Sequence, residues 1–148
     1  MISPEQLRRY PYFANVSDHA LKEVAMISDE VTAPAGRVLF TEGDRAENLY
    51  ILVEGEFDLQ YTLSSGERRT VDTLVAGDLI VWSALVEPYR CTATGTTRTA
   101  CRLISIQGQK LRALCETDHD LGYRMLISLT TLLASRLEGA RVQLATMD

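Results

Sequence analysis

Val38-Leu39-Phe40-Thr41-Glu42-Gly43-Asp44, followed by Leu49-Tyr50-Ile51-Leu52-Val53-Glu54-Gly55, is the stretch on which the fold turns. Arg37 to Thr41 is predicted as a strand and Glu42-Gly43-Asp44 as a turn. Leu49 to Val53 is an apolar run of strand length, ended by Glu54-Gly55. The glycines mark places where the backbone takes dihedrals that other residues resist. Downstream, Phe57, Leu59, Tyr61 and Leu63 alternate with Asp58, Gln60 and Thr62, the period-2 pattern of a strand with one wet face. Ser64-Ser65-Gly66-Glu67 reads as a hairpin turn, and Arg69 to Val75 returns. Ala76-Gly77-Asp78 is a further turn, and Trp82 to Val86 is predicted to form one helical turn. Threonine-rich strands follow at Cys91 to Thr97 and Ala100 to Ile106. Upstream, Val31 to Ala33 is a short strand that turns at Pro34-Ala35-Gly36. Short strands separated by turn signals every 8 to 12 residues or roughly so suggest a barrel or sandwich.

Helices flank these strands. Ser3 caps a short helix starting at Pro4, with Gln6 completing a capping box, and Pro11 stops it. Ser17 caps a second helix that gathers Leu21, Val24 and Ala25 on one face. Lys110 to Cys115 is a short helix. Thr117 or Asp118 caps a long one reaching about Gln143. In it Leu126, Leu129, Leu133, Leu137, Ala140 and Leu144 recur in steps of three and four, with Met125 and Leu132 on an adjoining face. Two faces suit two neighbours, the strands of its own chain and the same helix of a second copy. One broad stripe packed on its own barrel is the alternative. The predicted organisation is a single unit of residues 1–148, with a helical lead over 1–29, a β-roll over 30–107 and C-terminal helices over 108–148.

The chain has 148 residues and a net charge of −5, with 46% hydrophobic residues, as expected of a globular protein. No long basic run supplies the field that phosphate-backbone binding needs, so no DNA-binding module is expected within these residues. Three widely spaced cysteines, Cys91, Cys101 and Cys115, do not make a secreted disulfide framework. The first residues do not resemble a signal peptide, and no apolar run approaches the roughly 18 residues that span a bilayer. The expectation is a cytoplasmic chain with reduced thiols and no membrane contact.

Two helices, some eight strands with glycine-marked turns, then a short and a long helix: this order resembles the cyclic-nucleotide-binding domain of catabolite activators, kinase regulatory subunits and gated channels. The resemblance covers roughly Leu7 to Gln143. The opening stretch looks like the family's second and third strands. Gly77-Asp78-Leu79-Ile80-Val81-Trp82-Ser83-Ala84-Leu85 with Thr92-Ala93-Thr94 is similar to its phosphate-binding cassette. The resemblance implies a mainly β fold with flanking helices: a double-stranded β-helix, or jelly-roll barrel, with N-terminal helices and a long C-terminal dimerisation helix. It also implies a regulatory function rather than an enzymatic one, and a cyclic nucleotide or other small anion as ligand.

The cassette of the family offers backbone amides to a cyclic phosphate, here from Ser83 and Ala84, and pairs it with an arginine. A glutamate accepts hydrogen bonds from the ribose hydroxyl. This sequence departs at these positions. The glutamate falls on Trp82, the glycine before it on Val81, and the arginine on Cys91. Arg90 is one residue away, but a one-residue shift in a strand points a side chain to the other face. It reaches the site only if a bulge re-aims it, and is otherwise a solvated arginine. Trp82 fills the cavity, stacks on a flat ligand, or simply packs the barrel. Two positions where the catabolite activator touches adenine fall on Ala140 and Arg141. The candidate site is therefore Val81, Trp82, Ser83, Ala84, Arg90, Cys91 and Thr92, capped by Ala140 and Arg141. Losing the phosphate-pairing charge costs on the order of 2 to 5 kcal/mol, so weak or absent cyclic AMP binding is expected.

Other chemistry has little support in the sequence. Cys115 and His119 stand four apart, but a structural zinc needs four ligands, and no metal site is expected. Cys91 is a buried structural thiol, or a redox-active one if Arg90 lowers its pKa. There is no Walker loop, no GxSxG elbow and no HExxH motif. Three functional readings follow: a ligand-sensing module, a ligand-free dimerisation or protein-interaction module, and the sensor fragment of a transcription regulator. In activators a helix-turn-helix follows the long helix, whereas this sequence stops at Asp148, so no such domain is expected here.

Overall fold

The computed structural model describes residues 1–147. Its elements run α1 (Pro4–Arg8), α2 (Asp18–Met26), β1 (Ser28–Ala33), β2 (Val38–Phe40), β3 (Asn48–Glu54), β4 (Phe57–Thr62), β5 (Arg68–Leu74) and β6 (Leu79–Ile80). A single 3₁₀ turn, Trp82–Leu85, comes next and is called the cassette turn below. β7 (Thr94–Thr97), β8 (Cys101–Gln107), α3 (Gly108–Thr117) and α4 (His119–Thr146) complete the chain.

Two four-stranded antiparallel sheets form the roll, one ordered β1-β8-β3-β6 and the other β2-β7-β4-β5. β8 is central to the first sheet. It pairs with β1 from Ser28–Ile106 to Ala33–Cys101, and with β3 through Leu49–Ile106 and Ile51–Ile104. Consecutive residues Ile51 and Leu52 are both fully buried, as are Leu103 and Ile104. These strands bury both faces, which explains why their sequences run apolar without alternation. Phe57 anchors the second sheet and stacks on Phe40, the ring centroids 5.8 Å apart. Gly95 of β7 lies so close to the rings of Phe40 and Phe57 that a β-carbon there would collide with both. The arrangement is the mainly β jelly roll with flanking helices that the sequence suggests.

The caps are those read from the sequence. Ser3 and Gln6 form the capping box of α1, and Ser17 accepts a hydrogen bond from the Ala20 amide at 3.2 Å. Asp118, rather than Thr117, caps α4 through the Leu121 amide at 3.1 Å. Several boundaries differ. β1 begins at Ser28, inside the expected helical lead, because Ser28 pairs with Ile106. β6 is a strand only by pairing Leu79 and Ile80 with Ile51 and Tyr50. The expected strand Cys91–Thr97 begins only at Thr94, since the Cys91 amide and carbonyl bond Asp44 and Gly43 in a distant loop. The wet-and-dry alternation of β4 fades outward. Phe57 is buried and Leu59 half-buried, but Tyr61 is 48% exposed, because the β4–β5 hairpin tip projects from the roll.

α4 has 28 residues, of which only Leu121, Met125 and Leu129 are buried. Leu132, Leu133 and Arg136 are half-buried, and every residue from Leu137 to Met147 is exposed. No helix among the described residues is long and apolar enough to cross a membrane.

Candidate functional site

The cassette turn is held between the two sheets and the C-terminal helices. The carbonyl of Asp78 accepts from the Leu52 amide at 3.0 Å, which fixes the chain just before β6. After β6, Val81 adopts φ 66° and ψ 56°, the left-handed region, and this redirects the backbone into the turn. A β-branched residue is strained there. The turn's own Ala84 amide donates to Val81 O at 3.1 Å. Beyond the turn, Arg112 of α3 donates from Nη1 to Ala84 O at 2.6 Å, and its guanidinium lies 3.9 Å over the Tyr89 ring.

A small cavity of about 20 Å³ lies between this turn, β2, β4, residues 91–93 and α4. Phe40, Leu59, Val81 and Trp82 form its apolar walls, with Cys91 and Ala93. Its polar lining is Ser83, Thr92 and Arg136. The volume is about that of a single water, so a larger guest needs a movement of Trp82, Arg136 or α4. Arg136 spans from α4 to the sheet and donates from Nη2 to Leu79 O at 3.0 Å. It is half-buried and belongs to no ion pair among the described residues. Tyr12 reaches the same corner, donating to Gly77 O at 3.0 Å. Burial pushes its phenol pKa up, Asp78 adds to this, and Arg136 opposes it.

A sequence profile of the cyclic nucleotide-binding domain matches residues 30–118. The chain belongs to that family. Its structure is similar to a putative cyclic nucleotide-binding protein from Geobacter metallireducens, at 36% identity and a TM-score of 0.84, covering 93% of this chain and 99% of that one. It is also similar to the N-terminal domain of a transcriptional regulator from Streptomyces coelicolor, at 29% identity and a TM-score of 0.70, covering 88% and 93%. Among curated relatives, a CRP-like cAMP-activated global transcriptional regulator of Mycobacterium tuberculosis is 24% identical over 97% of this chain. The chain spans 62% of that relative's length.

In this cyclic nucleotide-binding domain the expected site residues separate into three groups. Val81, Trp82, Ser83, Cys91 and Thr92 line the cavity together. Ala84 is fully buried just behind them, its amide already used by Val81 O. Arg90 points elsewhere: it is exposed, pairs across a bridge with Arg45, and donates to Gly43 O at 3.4 Å. Ala140 and Arg141 are exposed and lie one turn past Arg136, the residue through which α4 lines the cavity. Burial, with Asp44 second, pushes the Cys91 thiol up, which keeps it protonated and argues against a redox role. All three cysteines are free.

Arg136 is the site residue that the sequence reading missed. A signal existed: it stands seven residues after Leu129 and three after Leu133, on the stripe that packs against the roll. A cation on an apolar stripe is unusual enough to single out. A second, larger groove of about 410 Å³ lies at the other end of the turn, where Leu85 and Val86 meet α3 and α4. Its cation, Arg112, is already committed to Ala84 and Tyr89.

Proposed function

We propose that this domain is a regulatory sensor for a small anionic ligand, with a cassette too altered for ordinary cyclic AMP affinity. The observation that carries it is the cavity between cassette turn and α4, with Trp82 and Cys91 at the positions where the family's glutamate and arginine fall. Ligand binding there displaces α4, because Arg136 ties that helix to the cavity wall. Such a shift needs only a difference in ligand affinity between two helix positions. The output passes to a second copy of the chain, docked along α4, or to a regulated protein partner. The chain acts without catalysis and in the cytoplasm.

A second reading has its own support. A cavity of about 20 Å³ suits a ligand-free dimerisation or protein-interaction module in which the roll is only a scaffold. Because the matched curated relatives are longer transcription regulators, the domain also fits as the sensor part of such a regulator.

A nucleotide panel in a thermal-shift assay separates sensor from scaffold. A ligand that binds only the folded state raises the melting temperature, and saturation near 100 times its Kd adds about 2.7 kcal/mol. A flat response to the whole panel favours the scaffold. Calorimetry tests the altered cassette: cyclic AMP is expected to bind more weakly than low-micromolar, and low-micromolar binding would remove that part of the proposal.

A further inference from the structure

We infer that Arg136 is the oxyanion-binding residue of this cavity, so that the charge expected from the strand before β7 comes instead from α4. The inference rests on the sensor reading above and names the ligand chemistry of that same site. Three independent observations support it. Arg136 lines the cavity, yet among the described residues no carboxylate pairs with it. Its single hydrogen bond, from Nη2 to Leu79 O, leaves other guanidinium donors unused. A half-buried cation without a counter-ion favours an anion brought beside it.

Ser83 is the second observation. The residue is only 4% exposed and lines the same cavity, and since no fully buried side-chain polar atom among the described residues lacks a partner, its hydroxyl, which bonds no protein group, is one that a guest can reach. A hydroxyl open to the cavity beside Arg136 can donate to an anion held there. The third is Cys91, at the position where the family places its arginine. It is buried in the cavity wall and held as a neutral thiol, so it offers no positive charge to the site. Arg90 is turned to the Gly43 carbonyl on the outside. Arg136 is thus the guanidinium in the cavity lining, and its planar fork suits a phosphate or carboxylate. Trp82 and Phe40 supply apolar walls, so the ligand is an oxyanion carrying a flat or apolar portion.

Trp82 is the chain's only tryptophan, and its fluorescence reports on the cavity. The full chain is titrated with cyclic AMP, inorganic phosphate and adenosine to millimolar concentration. Cyclic AMP is expected to change the Trp82 emission saturably, and adenosine, which carries no charge, is not. Arg136→Gln is expected to weaken cyclic AMP binding about tenfold or more, as loss of a hydrogen-bonded charge does. Arg136→Lys, which keeps the charge but not the fork, should fall between. Thermal unfolding of both variants shows whether the loss of the Leu79 contact, rather than of the anion partner, is responsible: the inference requires weakened binding in a variant that melts as a folded protein.

Equal binding by Arg136→Gln and the parent would overturn the inference while leaving the sensor reading intact. So would an equal response to adenosine, since the site would then not read charge. A tryptophan signal indifferent to both cyclic AMP and phosphate would overturn it as well. The sensor reading itself fails separately, on a flat thermal-shift panel.

Discussion

Val81 carries a left-handed backbone, φ 66°, on a β-branched side chain that is buried against the cavity. Left-handed geometry costs an L-residue roughly 1–2 kcal/mol. The family resemblance places a glycine at this position, and glycine takes the positive φ observed here without strain. Simple replacement by glycine mixes strain relief with loss of a buried side chain. Comparing glycine with alanine at position 81 removes that confusion, since both lack the isopropyl group. Ordinarily alanine is the more stabilising of the two by roughly 0.5–1 kcal/mol. Here the order should reverse, with Val81→Gly more stable than Val81→Ala by about 1 kcal/mol in urea unfolding. Alanine proving equal or better would show that residue 81 is not left-handed. At this scale the sequence told half the story. Trp82 and Cys91 could be placed in the cavity from the cassette pattern alone. Arg136 could not, because it enters from a helix more than forty residues away, and only folding brings the two together.

At the scale of elements, Arg112 is the link between the cassette turn and the C-terminal helices. Its bond to the Ala84 carbonyl is short, 2.6 Å, and the same guanidinium covers the Tyr89 ring. Hydrogen bonds to charged groups contribute about 1.5–3 kcal/mol, and an exposed cation–π contact about 0.5–1 kcal/mol. Arg112→Met keeps the aliphatic stem and deletes both interactions. It should lower stability by about 2 kcal/mol, read as a fall of several degrees in melting temperature. An unchanged midpoint would mean that α3 and the turn are held together by apolar packing alone. Long apolar runs and capping residues made most elements legible: β3, α1, α2 and α4 depend on local pattern. The misses share a cause. β6 is two residues long and exists through pairing with β3, and the residues before β7 bond a loop near Gly43. Partners that distant leave no local pattern to read. The hairpin β4–β5 failed differently, since its alternation was real but its outer half has no sheet to lie against.

Across the whole molecule the unresolved tension is the outer face of α4. Tyr123, Thr130, Leu137 and Leu144 stand seven apart, and so do Leu126, Leu133 and Ala140, with Leu133 at the edge of the face where it also packs against the roll. The two series interleave in steps of three and four, the seam of a two-stranded coiled coil. In the single chain the seam is wet: Leu126 is 61% exposed, Leu137 54% and Leu144 72%. A helix whose last turns touch nothing of their own chain gains little from being helical, because isolated helices are marginal in water. On the proposed dimer, a second copy of α4 would supply the missing surface. The same contact would carry the proposed cavity event to the second copy, since Arg136, which bonds the cavity wall, is the immediate neighbour of Leu137. Leu137→Asp tests this cleanly. The side chain is outside the core of the roll, so the fold should survive. Paired across the seam, however, two carboxylates would be buried without partners, at a cost of about 3–5 kcal/mol each. Sedimentation should show a dimer for the parent chain and a monomer for Leu137→Asp, with the strand signature in circular dichroism unchanged. A parent chain that sediments as a monomer at micromolar concentration would leave α4 as a helix with one packed face, and the output of the sensor would have to pass through another surface.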